Sequence, residues 1–599
     1  MENSSGLNRV AFWEKYLPGG ILLAAFLLRL IALDTVPLTE HEAGQALQAL
    51  AVSEGAADFT LTQPLYVLVT AGLFSFFDAS VFLARLFPAL AGFLLICLPL
   101  FFSDRLESRK KLLLLLLLAV DPATLAWGKT ADALIPVLCL LGYAGLAFSR
   151  GKQTCGVILL ALAMTGGERF WPAAAAIGIC ALVIAVFSRR QSADKVPVRD
   201  SLTGIAGKRN LLLLIGFWLL FSVGLFGYPA GLNAVGQGLL RGFFPAPGHD
   251  FRSVGFFPWL WALFIYLGAG LIFFLFHFLS IIRLKNQAML IQMSIVILFG
   301  LLLLVFRQGI LVLPWLSLPV YYFAADGLFH RLDTRPIGKD PFSLLGILIP
   351  PALGSFLFFR AAELLRMGDL SLPLSFQYNG QLLTAPLTRL QGYLIIMLIS
   401  ILIFGIFVPM LLNYFSPGSI RPGIIRGCLI VVAVGTLTNT WAAAGLRTAG
   451  DRPAADRQRG RHELVLGSQI NQAVSPLADL VHEIGVKQNG FEEGGEGVVT
   501  VTDDPMLRWE LRKNADVRFS RIFDIQTENP SYVITEAAGS EASLPGYVGM
   551  PVDWKNVDDW RSYSAVDWLN WTLYRSTKDG LSSLHFWQRT DWLAGSVYQ

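Results

Sequence analysis

The residues able to do chemistry stand in short clusters against a mostly apolar chain. Glu40, His41 and Glu42 lie together, with Asp34, Glu54 and Asp58 in the same stretch, 34–63. Asp121, Lys129 and Asp132 form a second group, followed by the adjacent pair Glu168 and Arg169. Arg241, His249, Asp250 and Arg252 occupy 229–254, and Arg307 with Gln308 interrupts the apolar run 288–328. A carboxylate or an imidazole can take a proton from a hydroxyl near neutral pH. Arginine and lysine can offset negative charge as it develops. Glu40, Glu42 and Asp132 are also hard oxygen donors of the kind that hold Mg²⁺ or Mn²⁺. Each group has a plainer reading that the sequence leaves open. Glu40 and Glu42 fit the first turn of a helix, where carboxylates favour the dipole, and Asp132 fits an N-cap. Glu168 and Arg169 fit an ion pair sealing a turn, and Arg307 fits a cation snorkelling at a membrane boundary.

The elements that must position these groups are membrane helices. Of 599 residues, 54% are hydrophobic and 15% charged, against about 25% charged in soluble globular chains. The low-charge region ends near Leu446, after which Arg447, Asp451, Arg452, Asp456, Arg457, Arg459 and Arg461 follow in quick succession. This divides the chain into a membrane domain, 1–446, and a soluble domain, 447–599. The five cysteines all lie in apolar runs, so no disulfide framework or zinc site is legible. The net charge of +4 gathers in short clusters between apolar runs, which argues against nucleic-acid binding.

Apolar runs at 17–33, 82–102, 112–127, 133–148, 155–167, 170–188, 211–228, 255–279, 288–306, 309–328, 343–360, 391–413 and 424–445 read as spans. The first, with Arg29 and no small-residue cleavage site, reads as a retained helix rather than a removed signal peptide. With the N-terminus cytoplasmic, about thirteen spans put Arg105/Arg109/Lys110/Lys111, Arg150/Lys152, the basic stretch 189–209, Arg283/Lys285 and Arg331/Arg335/Lys339 inside. Counting 64–77 as a further span would move all of these outside. That run therefore reads as an interfacial or re-entrant helix, within a first outer loop of 34–81. The odd count places the tail, and every polar group named above, on the outer face. In the tail the pattern predicts helices at 463–485, 505–513 and 564–576 and strands at 498–502, 517–523, 532–535 and 583–588, a small α/β domain. The glycine-bearing stretch 489–497 reads as a loop without a phosphate-binding fingerprint. The tail tryptophans Trp554, Trp560, Trp568, Trp571, Trp587 and Trp592 fit either a domain core or sugar-stacking platforms.

Several stretches resemble membrane glycosyltransferases of the GT-C fold, the superfamily of family 39 protein O-mannosyltransferases and lipid A aminoarabinose transferases. They are Leu28-Arg29-Leu30, Pro37-Leu38-Thr39-Glu40-His41-Glu42-Ala43, Gln63-Pro64-Leu65-Tyr66 with Ala84-Arg85-Leu86, Asp121-Pro122 with Gly128-Lys129-Thr130-Ala131-Asp132, and Leu313-Pro314-Trp315-Leu316. The tail segments Leu507-Arg508-Trp509-Glu510-Leu511-Arg512 and Trp571-Thr572-Leu573-Tyr574-Arg575 resemble a flippase-activity-associated archaeal and bacterial branch.

The resemblance implies a polytopic α-helical, GT-C-like membrane protein with an extracytoplasmic C-terminal α/β domain. It would move a sugar from a polyprenyl-phosphate lipid to a glycan, lipid or protein acceptor, with inversion at C1. Glu40, His41, Glu42 and Asp132 would supply the base, and Arg307, Lys129 and Arg252 would face the donor phosphate. Glu168, Arg169 and His249 are further candidates. Two departures stand out: His41 occupies the place of the family's catalytic Asp, and Gln63 that of a phosphate-facing lysine in aminoarabinose transferases. The family requires no metal that the resemblance identifies, so Mg²⁺ or Mn²⁺ stays open. The rival reading is a non-catalytic membrane protein assisting lipid-linked sugar translocation or envelope assembly. A secondary transporter fits less well, since no internal repeat is visible.

The topology has a direct test. In a cysteine-free background in cells, a cysteine replacing Ser583 should react with a membrane-impermeant maleimide, and one replacing Ser108 should not. The reverse pattern would invert the whole arrangement.

Overall fold

The computed structural model describes residues 4–56, 61–102, 107–191, 207–224, 231–244, 256–332, 341–366, 372–378, 381–415 and 420–446, then shorter stretches between 469 and 590. The described part of every apolar run named above lies largely on helices. These are α1 (Ser4–Leu30), α4 (Val81–Phe101), α5 (Ser108–Ala119) with α6 (Pro122–Gly128), α7 (Leu134–Ser149), α8 (Gln153–Met164), α9 (Trp171–Gln191), α10 (Lys208–Ser222), α12 (Phe256–Leu284), α13 (Gln287–Val305), α14 (Val312–Leu332), α15 (Pro341–Arg366), α16 (Arg389–Ser400) continuing into α17 (Val408–Phe415), and α18 (Ile420–Ala444). Helices α2 (Glu40–Ser53), α3 (Pro64–Phe76) and α11 (Gly231–Phe243) lie between them. Among the described residues eight helices are long and apolar enough to cross a membrane, nine if α5 and α6 make one span. The runs 17–33, 133–148, 155–167 and 211–228 lie on the remaining, shorter apolar segments. The chain is an integral membrane protein of many helices with a small C-terminal sheet domain.

Two segments depart from uniform spans for readable reasons. The run 112–127 is broken, with α5 and α6 meeting at 51°. Pro122 at the first position of α6 cannot continue a helix, and the buried Asp121 carboxylate caps α6 by accepting from Ala123 N at 3.2 Å and Thr124 N at 2.9 Å. Helix α3 has 13 residues, about 20 Å at 1.5 Å per residue, against a hydrocarbon core of about 30 Å. It packs between α2 and α4, with Tyr66 Oη donating to the Ala84 carbonyl at 2.7 Å.

The C-terminal domain carries a six-stranded sheet in the order β3-β7-β8-β6-β4-β5. The strands are β3 (Gln469–Ile470), β4 (Gly497–Val499), β5 (Val517–Phe519), β6 (Tyr532–Glu536), β7 (Tyr547–Asn556) and β8 (Leu581–Arg589), numbered after a hairpin, β1 (Pro373–Tyr378) and β2 (Gln381–Thr388), between α15 and α16. Strands β5, β4 and β6 are parallel, and β6–β8 and β8–β7 antiparallel. The domain also holds α19 (Pro505–Glu510), which packs against α2, and α20 (Ala565–Tyr574), which meets α15. Gln469–Ile470 is extended where a helix over 463–485 was expected, and most of that segment lies outside the described residues, as do Trp560 and Trp592. Strand β7 and the hairpin were not foreseen, because Gly549 and Pro551 interrupt the alternation of β7 and Pro386 that of β2. Gly497 opens β4 instead of closing a loop, and a side chain there would collide with the Tyr532 ring. Trp554, Trp568, Trp571 and Trp587 are buried in the domain rather than displayed as stacking platforms.

The domain is seated on the membrane helices. Trp261 Nε1 of α12 donates to Thr572 Oγ1 at 2.8 Å, and Arg575 Nη2 donates to Asn439 Oδ1 of α18 at 3.1 Å. Trp509 packs on Phe74 of α3, and Arg512 Nη2 donates to the Ala79 carbonyl at 3.0 Å. The tail thus rests on the end of the bundle that carries α2 and α3. Truncating the buried Trp571 to alanine should cost about 3–5 kcal/mol, read as a lowered denaturation midpoint of the full-length protein. An unchanged midpoint would contradict this packing.

Candidate active site

The site is built where three loops meet: the one leading into α2, the one between α6 and α7, and the turn before α9. Thr39 starts α2 through a capping box, in which its hydroxyl accepts from Glu42 N and Glu42 accepts from Thr39 N at 3.0 Å. Glu42 has a larger task. Arg85 of α4 grips it with two parallel hydrogen bonds, Nε to Oε1 and Nη2 to Oε2, both 2.8 Å. The remaining donors of Arg85 reach the carbonyls of Leu33, Val36 and Pro37 at 2.8–3.0 Å. Glu42 Oε1 also accepts from Ala131 N at 2.9 Å. One buried ion pair therefore fixes both the α1–α2 loop and the α6–α7 loop. Burial works against the charge on Glu42, yet the Arg85 guanidinium and the two backbone N–H groups hold its carboxyl below the usual carboxylate range.

Next to this pair is a second polar cluster. His41 Nε2 lies 2.9 Å from Asp132 Oδ2 and 3.0 Å from Arg169 Nη2. The two contacts demand opposite protonation of Nε2: with a proton it donates to Asp132, and without one it accepts from Arg169. Arg169 Nη2 donates to Asp132 Oδ2 at 2.6 Å and its Nε to both carboxylate oxygens at 3.0–3.1 Å. Asp132 Oδ1 also accepts from Leu134 N, the first residue of α7, at 2.7 Å. Burial opposes the charge on Asp132 too, but the adjacent Arg169 and His41 hold its carboxyl well below the ordinary range. Gln63, fully buried at the start of α3, spans the cluster. Its Nε2 is 3.4 Å from both Asp132 Oδ2 and Glu168 Oε1, and its Oε1 accepts from Ala133 N at 2.7 Å. His41 is the member most open to solvent, its side chain 19% exposed against 7% for Asp132 and 5% for Arg169.

The structure sorts the remaining candidates. Glu40 is exposed in the first turn of α2. Glu168 is buried in the 3₁₀ turn Gly167–Arg169, with its Oε1 3.7 Å from Arg169 Nη2. Lys129 is buried, and its ammonium donates to the carbonyls of Ile31 at 2.7 Å and Ala444 at 2.8 Å, just past the end of α1 and at the end of α18, where a cation suits both helix dipoles. Arg307 is exposed on a left-handed turn, φ +56°, and Gln308 beside it is buried, with Nε2 3.4 Å from the Gly242 carbonyl of α11. That helix in turn packs closely on the 167–172 turn through Gly238 and Gly242. His249 and Arg252 lie outside the described residues. Glu42 and Asp132 do not fit a Mg²⁺ or Mn²⁺ site, because all four of their oxygens already accept from arginine, histidine, glutamine or backbone donors. Among the described residues no group of three or more His, Cys, Asp or Glu converges on a metal position.

Arg85 was not among the residues expected in the site. Its signal was an arginine inside the apolar run 82–102, where an ionisable group needs a partner.

No family model and no curated protein matches the chain. Among solved structures it is similar to ArnT from Cupriavidus metallidurans in the apo state, with 13% identity, 85% of each chain covered and a TM-score of 0.49. The same protein bound to undecaprenyl phosphate matches with 14% identity over 83% of this chain and 85% of that one, at a TM-score of 0.45. The apo form of the Archaeoglobus fulgidus oligosaccharyltransferase matches with 13% identity, 88% of this chain, 70% of that chain and a TM-score of 0.39.

Both carboxylates titrate lower in the folded protein than in the unfolded chain. Their stabilisation is therefore fully present above the unfolded-state value of about 4 and lost as pH falls through the lower folded value. The melting temperature in detergent should stay level from neutral pH to about 5 and drop below about 4. Arg85→Ala, which strands the Glu42 carboxylate, should cost about 3–5 kcal/mol. An Arg85→Ala protein with unaltered melting would contradict the role given to the pair.

Proposed function

We propose that this protein is a GT-C-like membrane glycosyltransferase that moves a sugar from a polyprenyl-phosphate donor to an acceptor at the outer membrane face. The observation that carries the reading is the 2.9 Å contact between His41 Nε2 and Asp132 Oδ2, which gives an anchored imidazole that is still partly open to solvent. Asp132 orients the ring and balances the imidazolium that forms, and Arg169 keeps Asp132 ionised and fixed. The acceptor hydroxyl attacks the sugar C1 as His41 takes its proton. The bond from C1 to the phosphate oxygen breaks, and polyprenyl phosphate leaves with the electron pair. Attack opposite the leaving group inverts C1. Arg307, exposed across α11 from the 167–169 turn, is the cation assigned to the departing phosphate. Glu42 and Arg85 touch no substrate in this scheme and position the loops instead.

A second reading has an observation of its own. Both buried carboxylates are fully engaged by arginine, which equally suits a rigid, non-catalytic scaffold assisting lipid-linked sugar translocation. Transfer from polyprenyl-phosphate sugars in proteoliposomes separates the two. His41→Ala and Asp132→Ala should each reduce kcat by about 100-fold or more, Arg307→Ala should chiefly raise KM for the donor, and Glu40→Ala should change little. Wild-type protein inactive with every donor, while its presence speeds lipid-linked sugar translocation, would favour the scaffold.

A further inference from the structure

One short helix of the C-terminal domain meets the elements that carry the candidate site, a convergence that the transfer scheme leaves unused. Helix α19 is firmly anchored within its own domain. Pro505 opens it, and the Asp504 carboxylate caps it by accepting from Met506 N at 2.9 Å and Leu507 N at 3.2 Å. The other Asp504 oxygen accepts from Trp554 Nε1 of β7 at 3.1 Å, which ties the start of the helix to the sheet. Met506, Leu507 and Trp509 are buried, as is Leu511 in the 3₁₀ turn Leu511–Lys513 that follows.

Helix α19 and this turn meet the membrane domain in three places. Pro505 Cβ lies 4.0 Å from where a Cβ on Gly44 would stand, with α19 packed against α2. Trp509 packs on Phe74 of α3, their ring centroids 6.2 Å apart. The Arg512 guanidinium lies 4.0 Å from the Trp509 ring centroid, and its Nη1 donates to the Trp509 carbonyl at 2.6 Å. That leaves Nη2 held toward the Ala79 carbonyl at 3.0 Å. Ala79 precedes Ser80, whose hydroxyl accepts from Leu83 N and starts α4.

These are the elements of the site: α2 bears His41 and Glu42, α3 begins after Gln63, and α4 bears Arg85. Helices α2 and α3 have 14 and 13 residues, a length at which a helix is marginal without tertiary support. The domain also reaches the Asp132 side. Tyr266 of α12 stands 5.6 Å from Trp127 of α6 and 6.4 Å from Trp571 of α20, centroid to centroid, and α6 leads into the loop that holds Asp132. We propose that α19 is a brace for the site, with Trp509 and Arg512 as positioning residues that keep α2 and α3 where His41 meets Asp132. The catalytic use of that placement rests on the transferase reading, whereas the mechanical coupling does not.

The test is hydrogen exchange of the full-length protein in lipid nanodiscs. Peptides covering α2 and α3 should exchange roughly tenfold faster or more in Arg512→Ala, while peptides from α13 and α14 keep wild-type rates. Arg512→Lys, which retains a donor for the Ala79 carbonyl, should restore part of the protection. Arg518→Ala, which removes an exposed ion pair with Glu528 in the same domain, should leave α2 and α3 unchanged. Where Arg512→Ala does not fold, Arg512→Gln should give a smaller rise in the same peptides. In the transfer assay, kcat per folded protein should fall about tenfold in Arg512→Ala and recover in part in Arg512→Lys. Rates in α2 and α3 indifferent to the loss of Arg512, or a rise shared evenly with α13 and α14, would overturn the brace. Because exchange is read without turnover, a local rise in a protein that transfers no sugar would sustain the brace and count against the transferase reading alone.

Discussion

The ion pair between Glu42 and Arg85 is the contact on which the end of the bundle that carries α2 and α3 depends. A carboxylate and a guanidinium removed from water lose several kcal/mol of hydration apiece and recover it only with near-complete hydrogen bonding. Here that condition is met. Arg85 makes five hydrogen bonds, two to Glu42 and three to loop carbonyls, and Glu42 adds Thr39 N and Ala131 N to its arginine contacts. The same contacts that satisfy the charges hold two irregular loops in place. Irregular backbone at the edge of a membrane protein needs such partners, since lipid supplies none.

From this fixed point the remaining polar groups follow as neighbours. Ala131, held by Glu42, precedes Asp132, and His41 precedes Glu42, so seating the pair brings Asp132 and His41 face to face. Arg169 and Gln63 then complete the cluster from the other side. Lys129 performs a parallel service at the Ile31 and Ala444 carbonyls. The division of labour is physical: arginine and lysine buried among backbone carbonyls set geometry, and His41 is more open to solvent than Asp132 or Arg169.

Part of this arrangement was legible in the residues. Apolar runs located the helices, and the grouping of polar residues singled out Glu40–Glu42, Asp132 and Glu168–Arg169. The roles within the group were less legible. Sequence distance hides that Arg85, 43 residues after Glu42, is its partner, and nothing local distinguishes a lysine facing phosphate from one that caps two helices. Asp132 reads as an N-cap, but Ala133 holds that position; Asp132 stands one residue earlier, accepts from Leu134 N and also meets His41. Strand β7 escaped notice because its glycine and proline break the alternation that a paired strand tolerates when its neighbour is β8. The bend between α5 and α6 was written in Asp121-Pro122 but masked by uniform hydropathy across the run.

In the proposed transferase, chemistry happens at His41, with Asp132 behind it and Arg85–Glu42 underneath. The most direct measurement is an electron cryomicroscopy structure in lipid nanodiscs with a non-transferable phosphonate analogue of a polyprenyl-phosphate sugar. The account predicts the sugar C1 beside the His41–Asp132 pair, the phosphonate toward Arg307 and the polyprenyl chain in the bilayer. An analogue bound away from His41, or excluded from the outer end of the bundle, would contradict it.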